Sequence, residues 1–524
     1  MIKTDIRLPL GYSTEDIKLA LSNHLPIERC EISDTVILKR MLDVSDRSAP
    51  HYRLTVGVSL SEDRERGLLK MKKKVSPSED YTFYMPPSRL TERPVVVGAG
   101  PSGLFAALVL AEAGARPILL ERGLDVESRK AKVNNFYKMG ILDTECNVQF
   151  GEGGAGTYSD GKLKVGGMDK YKMKVLREFV RAGAPEEIIY TVGAHLGTDK
   201  LTDIVRNIRE KLISLGSRVI FGAKFTEAIL KDGRVVGVRY EHHGESHTLG
   251  TDTLILAIGH SARDTLSYLY SIGVPMQAKG FGIGVRIEHP REYINELVYG
   301  KNYDSRLESA SYHLVTHLSN GRSVYSFCMC PGGTVVPAAS EEGGIVTNGM
   351  SEYMRDGENS NAALLVSLTP EDFGSEHPLM GFEIQRRIES RAFMLAGSDY
   401  RAPAMTLGEL LSGNKTERGG VKPSYARGTV ELSVREYMPE FISDSICAAI
   451  PDFDRWMPGY NYSDAVLTGP ETRSTSPVRI LRTATFEAEG IEGLYPIGEG
   501  AGYAGGIVSS ALDGVRCAES ILLK

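Results

Sequence analysis

The chain has 524 residues, with 61 Lys and Arg against 67 Asp and Glu and a formal net charge of −6. An apolar share of 42% and a charged share of 24% exclude a disordered chain, a collagen-like repeat or a disulfide scaffold as its main theme. The slight acidic excess argues against a general polyanion binder, and at about 100–200 residues per domain the length suggests about three domains.

The opening residues MIKTDIRLPLGYSTED hold no apolar segment with a small-residue cleavage site, so no signal peptide is expected. No run of about eighteen apolar residues occurs, so no membrane-spanning helix is expected either. Cys30, Cys146, Cys328, Cys330, Cys447 and Cys517 are scattered, as reduced thiols of a cytoplasmic protein would be.

Residues 2–10 alternate like a strand, and Ser13-Thr14-Glu15-Asp16 opens an amphipathic stretch through Ile17 and Leu21. β-rich runs follow at Thr35–Leu42 and Tyr52–Leu60. The charged stretch 61–74 reads as a solvated linker or loop, since Glu62, Asp63 and Glu65 sit beside its basic residues. Pro86-Pro87 reads as a domain boundary.

From residue 93 the pattern is strand, tight turn, helix, strand. Pro94–Val97 form the apolar run of a strand buried on both faces. Gly98, Gly100 and Gly103 fill a GxGxxG turn, written out as Gly98-Ala99-Gly100-Pro101-Ser102-Gly103. The first glycine permits the turn, the second lets backbone approach a pyrophosphate, and the third brings helix and strand together. Pro101 suits the first helical turn. Glu121 ends the next strand, 121 − 98 = 23 residues on, near the roughly 20 expected of a ribose-binding acid. Arg122 follows it, and Arg129 in the next helix is a candidate partner for dinucleotide or substrate.

GEGGAGTYSDGKL (151–163) is too rich in glycine for a regular element. Residues 218–260 form a run of strands turning at Lys231-Asp232-Gly233 and around Gly244, with Phe225 among them, and end in Leu254–Ile258 and Gly259. His242, His243 and His247 flank one of these turns and read as solvated side chains. His195 precedes an amphipathic helix and reads as structural. β-rich runs at Phe281–Ile287, Ser311–His317 and Ser323–Met329 precede helices at 380–397 and 434–449. Within GFGIG (280–284) the third fingerprint glycine is missing, so it reads as strand. On a strand Cys328 and Cys330 would share one side; they read as small apolar residues entering a turn, rather than as a redox pair or half of a zinc site. Arg473, Arg479 and Arg482 return to the nucleotide end of the fold, where guanidinium pairs with carboxylate or phosphate. The chain closes with a short strand, a turn carrying Gly498-Glu499-Gly500, and a helix from about Gly506 and Ile507.

The fingerprint, the strand ending Ala257-Ile258-Gly259 and the terminal Gly498-Glu499-Gly500 resemble the two-dinucleotide-binding-fold flavoproteins of the glutathione-reductase type. Together with NVQFGEGGAGTYSDGKL, SFCMCPGGTVVPAASEEGGIVTNGMS, ETRSTSPVRI and GEGAGYAGGI, they are similar to a family of bacterial FAD-dependent, or NAD(FAD)-utilising, dehydrogenases. The resemblance implies non-covalent FAD, with Glu499 in place of the usual Asp on its ribityl chain and the helix at Gly506 aimed at the flavin N1/O2 edge. It lays residues 151–163, Gly154 among them, against the ring, where Lys162 could hold a flavin or substrate oxygen and Ser159 or Asp160 could orient it.

The expected fold is α/β, with a Rossmann-like FAD-binding domain, an inserted mixed-sheet substrate domain and an N-terminal small α+β (ferredoxin-like) domain. Its bounds are 1–88, 89–275, 276–476 and 477–524. The expected function is hydride transfer between flavin N5 and a small-molecule substrate, NAD(P)H binding transiently over the flavin or another reductant supplying electrons. A flavin-dependent RNA-modifying enzyme gripping RNA through Lys70–Lys74, and a non-catalytic redox sensor, are the alternatives.

Overall fold

A computed structural model describes residues 1–524 except 71–73, 80, 164–165 and 416–418. The basic segment Lys70–Lys74 weighed for RNA contact therefore lies mostly outside the described residues.

The first unit runs β-α-β-β-α-β: strands Ile2–Pro9, Asp34–Asp43, His51–Ser59 and Ser76–Pro77, with helices Thr14–His24 and Glu62–Lys70. Its antiparallel sheet places Ile2–Pro9 between His51–Ser59 and Ser76–Pro77. Ser13 caps the first helix in a reciprocal box with Asp16. The stretch expected to be a loop holds the helix Glu62–Lys70, which buries Leu68 against the sheet. Leu69 packs partly buried beside it, and acidic residues in the helix's first turn and Lys70 in its last favour the helix dipole.

The second unit is built on five parallel strands, in the order Leu494–Pro496, Leu254–Leu256, Val95–Val97, Ile118–Glu121, Arg218–Phe221. Helix Pro101–Glu112 is buried throughout Ser102–Ala111, matching its almost wholly apolar sequence. The closing helix Ile507–Leu522 lies against it: a Cβ on Gly514 would fall 2.1 Å from the Ser102 carbonyl oxygen. A three-stranded antiparallel sheet, residues 223–250, stands beside them. Its hairpins turn at Asp232-Gly233 and His243-Gly244, all four residues at positive φ, the geometry a twisted two-residue hairpin demands.

The third unit is a mixed seven-stranded sheet running from Val315–His317 at one edge to Thr429–Glu431 at the other, with Phe281–Pro290 in the middle. Only the last pair, Ala402–Thr406 with Thr429–Glu431, is parallel. Helix Met380–Leu395 forms near its expected position. The second expected helix is broken into Val434–Tyr437 and Glu440–Trp456, because Pro439 holds Met438 extended (φ −93, ψ 151). The expected strand 311–317 shortens to Val315–His317. The chain enters and leaves this unit through one antiparallel ribbon, Met276–Ala278 with Val478–Ile480. Among the described residues no helix is long and apolar enough to cross a membrane.

Candidate functional site

Across the parallel sheet, chain order runs outward on one side from Val95–Val97, whereas Leu254–Leu256 and Leu494–Pro496 lie on the other. Ligands of open α/β sheets bind beyond the carboxyl ends of the strands at such a reversal. The loops leaving there are Gly98–Gly103 and Ala257–Gly259. Gly98 has φ +101, and a Cβ on it would lie 2.3 Å from the Ala257 carbonyl oxygen; on Gly103 it would lie 1.9 Å from the Gly98 oxygen. Gly100 is different. A Cβ there would meet only Gly154 Cα, at 3.9 Å. Helix Pro101–Glu112 starts at Gly100 without a side-chain cap, so its first-turn N–H groups and positive end are left to a ligand.

The carboxylate of Glu121 is buried and accepts three backbone bonds: from Ala99 N at 2.7 Å, Gly123 N at 2.9 Å and Gly151 N at 2.9 Å. The acid expected on a ribose is thus engaged in tying the fingerprint turn to the glycine-rich loop. Gly153 N completes the tie by donating to the Ala99 oxygen at 2.8 Å, and Gly154, at φ +61, sits against Gly100.

Arg129 is wholly buried beneath this loop, donating to the carbonyls of Asn147 (2.9 Å), Val148 (2.9 Å) and Glu152 (2.6 Å). Burial lowers its pKa, and the nearby Tyr158 and Glu121 only partly offset this. Its guanidinium shapes the loop and does not reach the crevice. Arg122 forks onto Asp264 and pairs with Glu145. Phe225 is a core side chain packed edge-on to Tyr268. The structure brings none of these three to the crevice.

The loop's short turn Ala155–Tyr158 reaches the closing helix, for a Cβ on Gly156 would lie 2.9 Å from Ile507 and 3.9 Å from Pro101. Both helix starts therefore flank Gly156. Gly506 precedes Ile507–Leu522 with no side-chain cap, and the space beside Gly505 and Gly259 is open. Gly498 lies against Ser102, and Gly500 against Gly259. Glu499 faces His260, 3.7 Å away. Ser159 closes its own turn, bonding the Gly156 carbonyl and Gly161 N.

Lys162 reaches from the glycine loop to the third unit, bonding the Met329 carbonyl and Asp160 (2.8 Å). Asp160 also receives both arms of Arg355. Burial would raise its pKa, but Lys162 and Arg355 together hold it below the ordinary carboxylate value. Cys328 and Cys330 do not share a side. The strand bulges between Phe327 and Cys330, Cys328 takes φ +41, and it is an exposed residue while Cys330 is buried. Burial pushes the Cys330 thiol up to about 11. All six cysteines are unbridged.

Arg473 meets Arg263 across Glu389, also bonding Ser261 and Ser340. Burial acts to raise the Glu389 pKa, yet the two guanidiniums outweigh it and hold the carboxyl far below its usual range. Arg482 forks onto Asp513, whose carboxylate also takes Gly498 N at 2.7 Å. Arg482 thus fixes the terminal turn from behind. His195 stacks on Tyr353 and bonds its carbonyl, a structural placement.

Sequence reasoning missed Glu152, Lys279 and His260. Glu152 had a signal, a carboxylate set among glycines; the other two become neighbours of Glu499 only through strand pairing.

Two family profiles match the chain: an FAD binding domain over residues 93–146 and an FAD-dependent protein, C-terminal domain-like, over 280–474. An uncharacterised protein from Clostridium beijerinckii is 44% identical over 529 residues, covering 99% of this chain and 98% of the relative. Among solved structures, the flavin-dependent brominase Bmp2 is 10% identical with a TM-score of 0.39, covering 82% of this chain and 79% of its own. The 3-ketosteroid-Δ4-(5α)-dehydrogenase from Rhodococcus jostii RHA1 is 14% identical with a TM-score of 0.35, covering 84% of this chain and 100% of its own.

Proposed function

The chain belongs to a family of FAD-dependent proteins, and from that premise we propose that it is a flavin-dependent oxidoreductase acting on a small molecule, with NADH or NADPH as electron donor. One observation carries the reading: two long helices present uncapped amino ends on either side of Gly156, and Gly100, Gly259 and Gly505 beside them have room for a ligand.

The residues fit FAD. Gly100 and the first turn at Pro101 would take the diphosphate. Glu499 would take the ribityl hydroxyls, and the first turn at Ile507 the N1/O2 edge of the ring, which gathers negative charge on reduction. FAD, when bound, supplies hydride acceptance and donation at N5. The protein's own part is positioning and electrostatics. The amino end of Ile507–Leu522 favours negative charge beside it by about 0.3–1 kcal/mol or more where solvent is excluded. Glu121 and Arg129 keep the glycine loop seated, and Lys162, steadied by Asp160, offers a cation between that loop and the third unit. That cation would hold an oxygen of the reacting molecule.

The test is the visible spectrum of the purified protein, followed by anaerobic addition of NADH or NADPH. The reading expects bound flavin that bleaches with one of the nucleotides and recolours with an oxidised metabolite. Protein that takes up no FAD would overturn it. Flavin that neither nucleotide reduces would remove the donor assignment and favour a sensor.

A further inference from the structure

The ribbon through which the chain enters and leaves the third unit places two cations side by side. Arg479 lies directly opposite Gln277 in the register, so Lys279, two residues on from Gln277, projects from the same face as Arg479. Among the described residues neither has a carboxylate within ion-pair distance. The Lys279 ammonium has one long contact, 3.4 Å to Thr475 Oγ1. Arg479 Nε is buried with no hydrogen-bond partner, and its guanidinium rests 5.2 Å from the Tyr503 ring centroid. The terminal turn runs along this ribbon: a Cβ on Gly502 would meet the Val478 oxygen at 2.5 Å and Arg479 Cα at 2.9 Å. Across that turn stands His260, its Nδ1 towards Glu499 and its Nε2 buried with no partner.

Like charges half-removed from water repel each other and persist at a cost unless an anion joins them. Burial, then the neighbouring Arg479, lowers the Lys279 pKa, and Glu499 only partly offsets this. The turn also separates the pair from the diphosphate position: Gly498 touches Ser102 at the fingerprint helix, whereas Gly502 touches Arg479.

We propose that Lys279 and Arg479, across the terminal turn from His260, form an anion site beside this ribbon that takes a phosphate or carboxylate group of the reacting molecule. This rests on the flavoprotein reading and deepens it by naming the substrate as an anion. A guanidinium fork suits either oxyanion, and the ribbon joins the flavin-binding unit to the unit that would cover a substrate.

The experiment is isothermal titration of the FAD-loaded protein with inorganic phosphate, read in parallel by the flavin difference spectrum, for wild type, Lys279→Gln and Arg479→Gln. Saturable binding is expected in wild type and should weaken by about tenfold or more in either variant, as loss of a charge-assisted contact implies. FAD content should stay unchanged. Loss of FAD from the variants would overturn the proposal, because the cations would then serve the cofactor diphosphate. Phosphate binding that is absent from wild type, or equal in all three proteins, would overturn it too. Wild type that takes up no FAD would instead defeat the flavoprotein reading itself, and phosphate titration of that protein still reads the site. Should Arg479→Gln not fold, Arg479→Lys keeps the charge without the fork and is expected to weaken phosphate less than Lys279→Gln does.

Discussion

Replacing Glu121 by Gln separates a residue that contacts nucleotide from one that holds the loop around it. The carboxylate accepts from three buried amides, two on one oxygen and one on the other. An amide has one acceptor oxygen, which keeps Gly123 and Gly151, while its NH2 then faces the Ala99 N–H. The Ala99 bond is lost, at about 2 kcal/mol for a charge-assisted bond, and the two survivors weaken by about 1 kcal/mol each on losing the charge, about 4 kcal/mol together. A chain of this size need not unfold in one step, so the assay is local: amide hydrogen exchange at Ala99, Gly123 and Gly151 in FAD-free protein, alongside FAD titration. The opening free energy at these amides should fall by about that amount, and FAD affinity should fall with it because Gly153 and Gly154 lose their seat. Unchanged exchange with weakened FAD binding would refute the reasoning and return Glu121 to direct ribose contact.

Glu152 gives a pH dependence. It is fully buried, one oxygen bonded to Val126 N and Arg209 and the other unpartnered, and burial pushes it up to about 7 from 4.5. A raised folded-state pKa means stabilisation fully present below about pH 4.5 and lost as pH climbs through about 7, on the order of 3 kcal/mol. Thermal melts of wild type and Glu152→Gln should therefore diverge between pH 5 and 8, the wild type losing ground as pH rises; parallel curves would contradict this. Gly103→Ala forces a methyl 1.9 Å from the Gly98 oxygen, so it should cost about 1–3 kcal/mol and abolish FAD retention on a desalting column. Arg286 is wholly buried, its five donors spent on Glu471, Cys328 O, Asn361 and Asn348. Arg286→Met should destabilise by about 3–5 kcal/mol in denaturant, whereas the double change with Glu471→Leu should recover most of that loss. With Cys30→Ser as background, a thiol reagent should modify Cys328 and spare Cys330 and Cys517 under native conditions.

Local chemistry made part of this protein legible without coordinates. The turn Gly98–Gly103 needs a buried strand before it and an apolar helix after it, all within neighbouring residues, and the Asp232-Gly233 hairpin is likewise written into its own dipeptide. The helix Glu62–Lys70 escaped notice because only the adjacent Leu68 and Leu69 dock it, too few to set a helical period, and the Cys328–Cys330 alternation failed because a bulge inserts a residue that no sequence period announces. Long-range partners were beyond reach for a different reason. Glu121 and Arg129 carry the residue types a nucleotide site wants, but in the folded chain backbone groups of Ala99, Gly123 and the loop 147–152 take their hydrogen bonds. Lys279 and Arg479 become neighbours only through antiparallel pairing of strands two hundred positions apart. Hydrogen-bonding capacity resides in the residue, and its consumption is decided by whichever distant backbone the tertiary fold delivers.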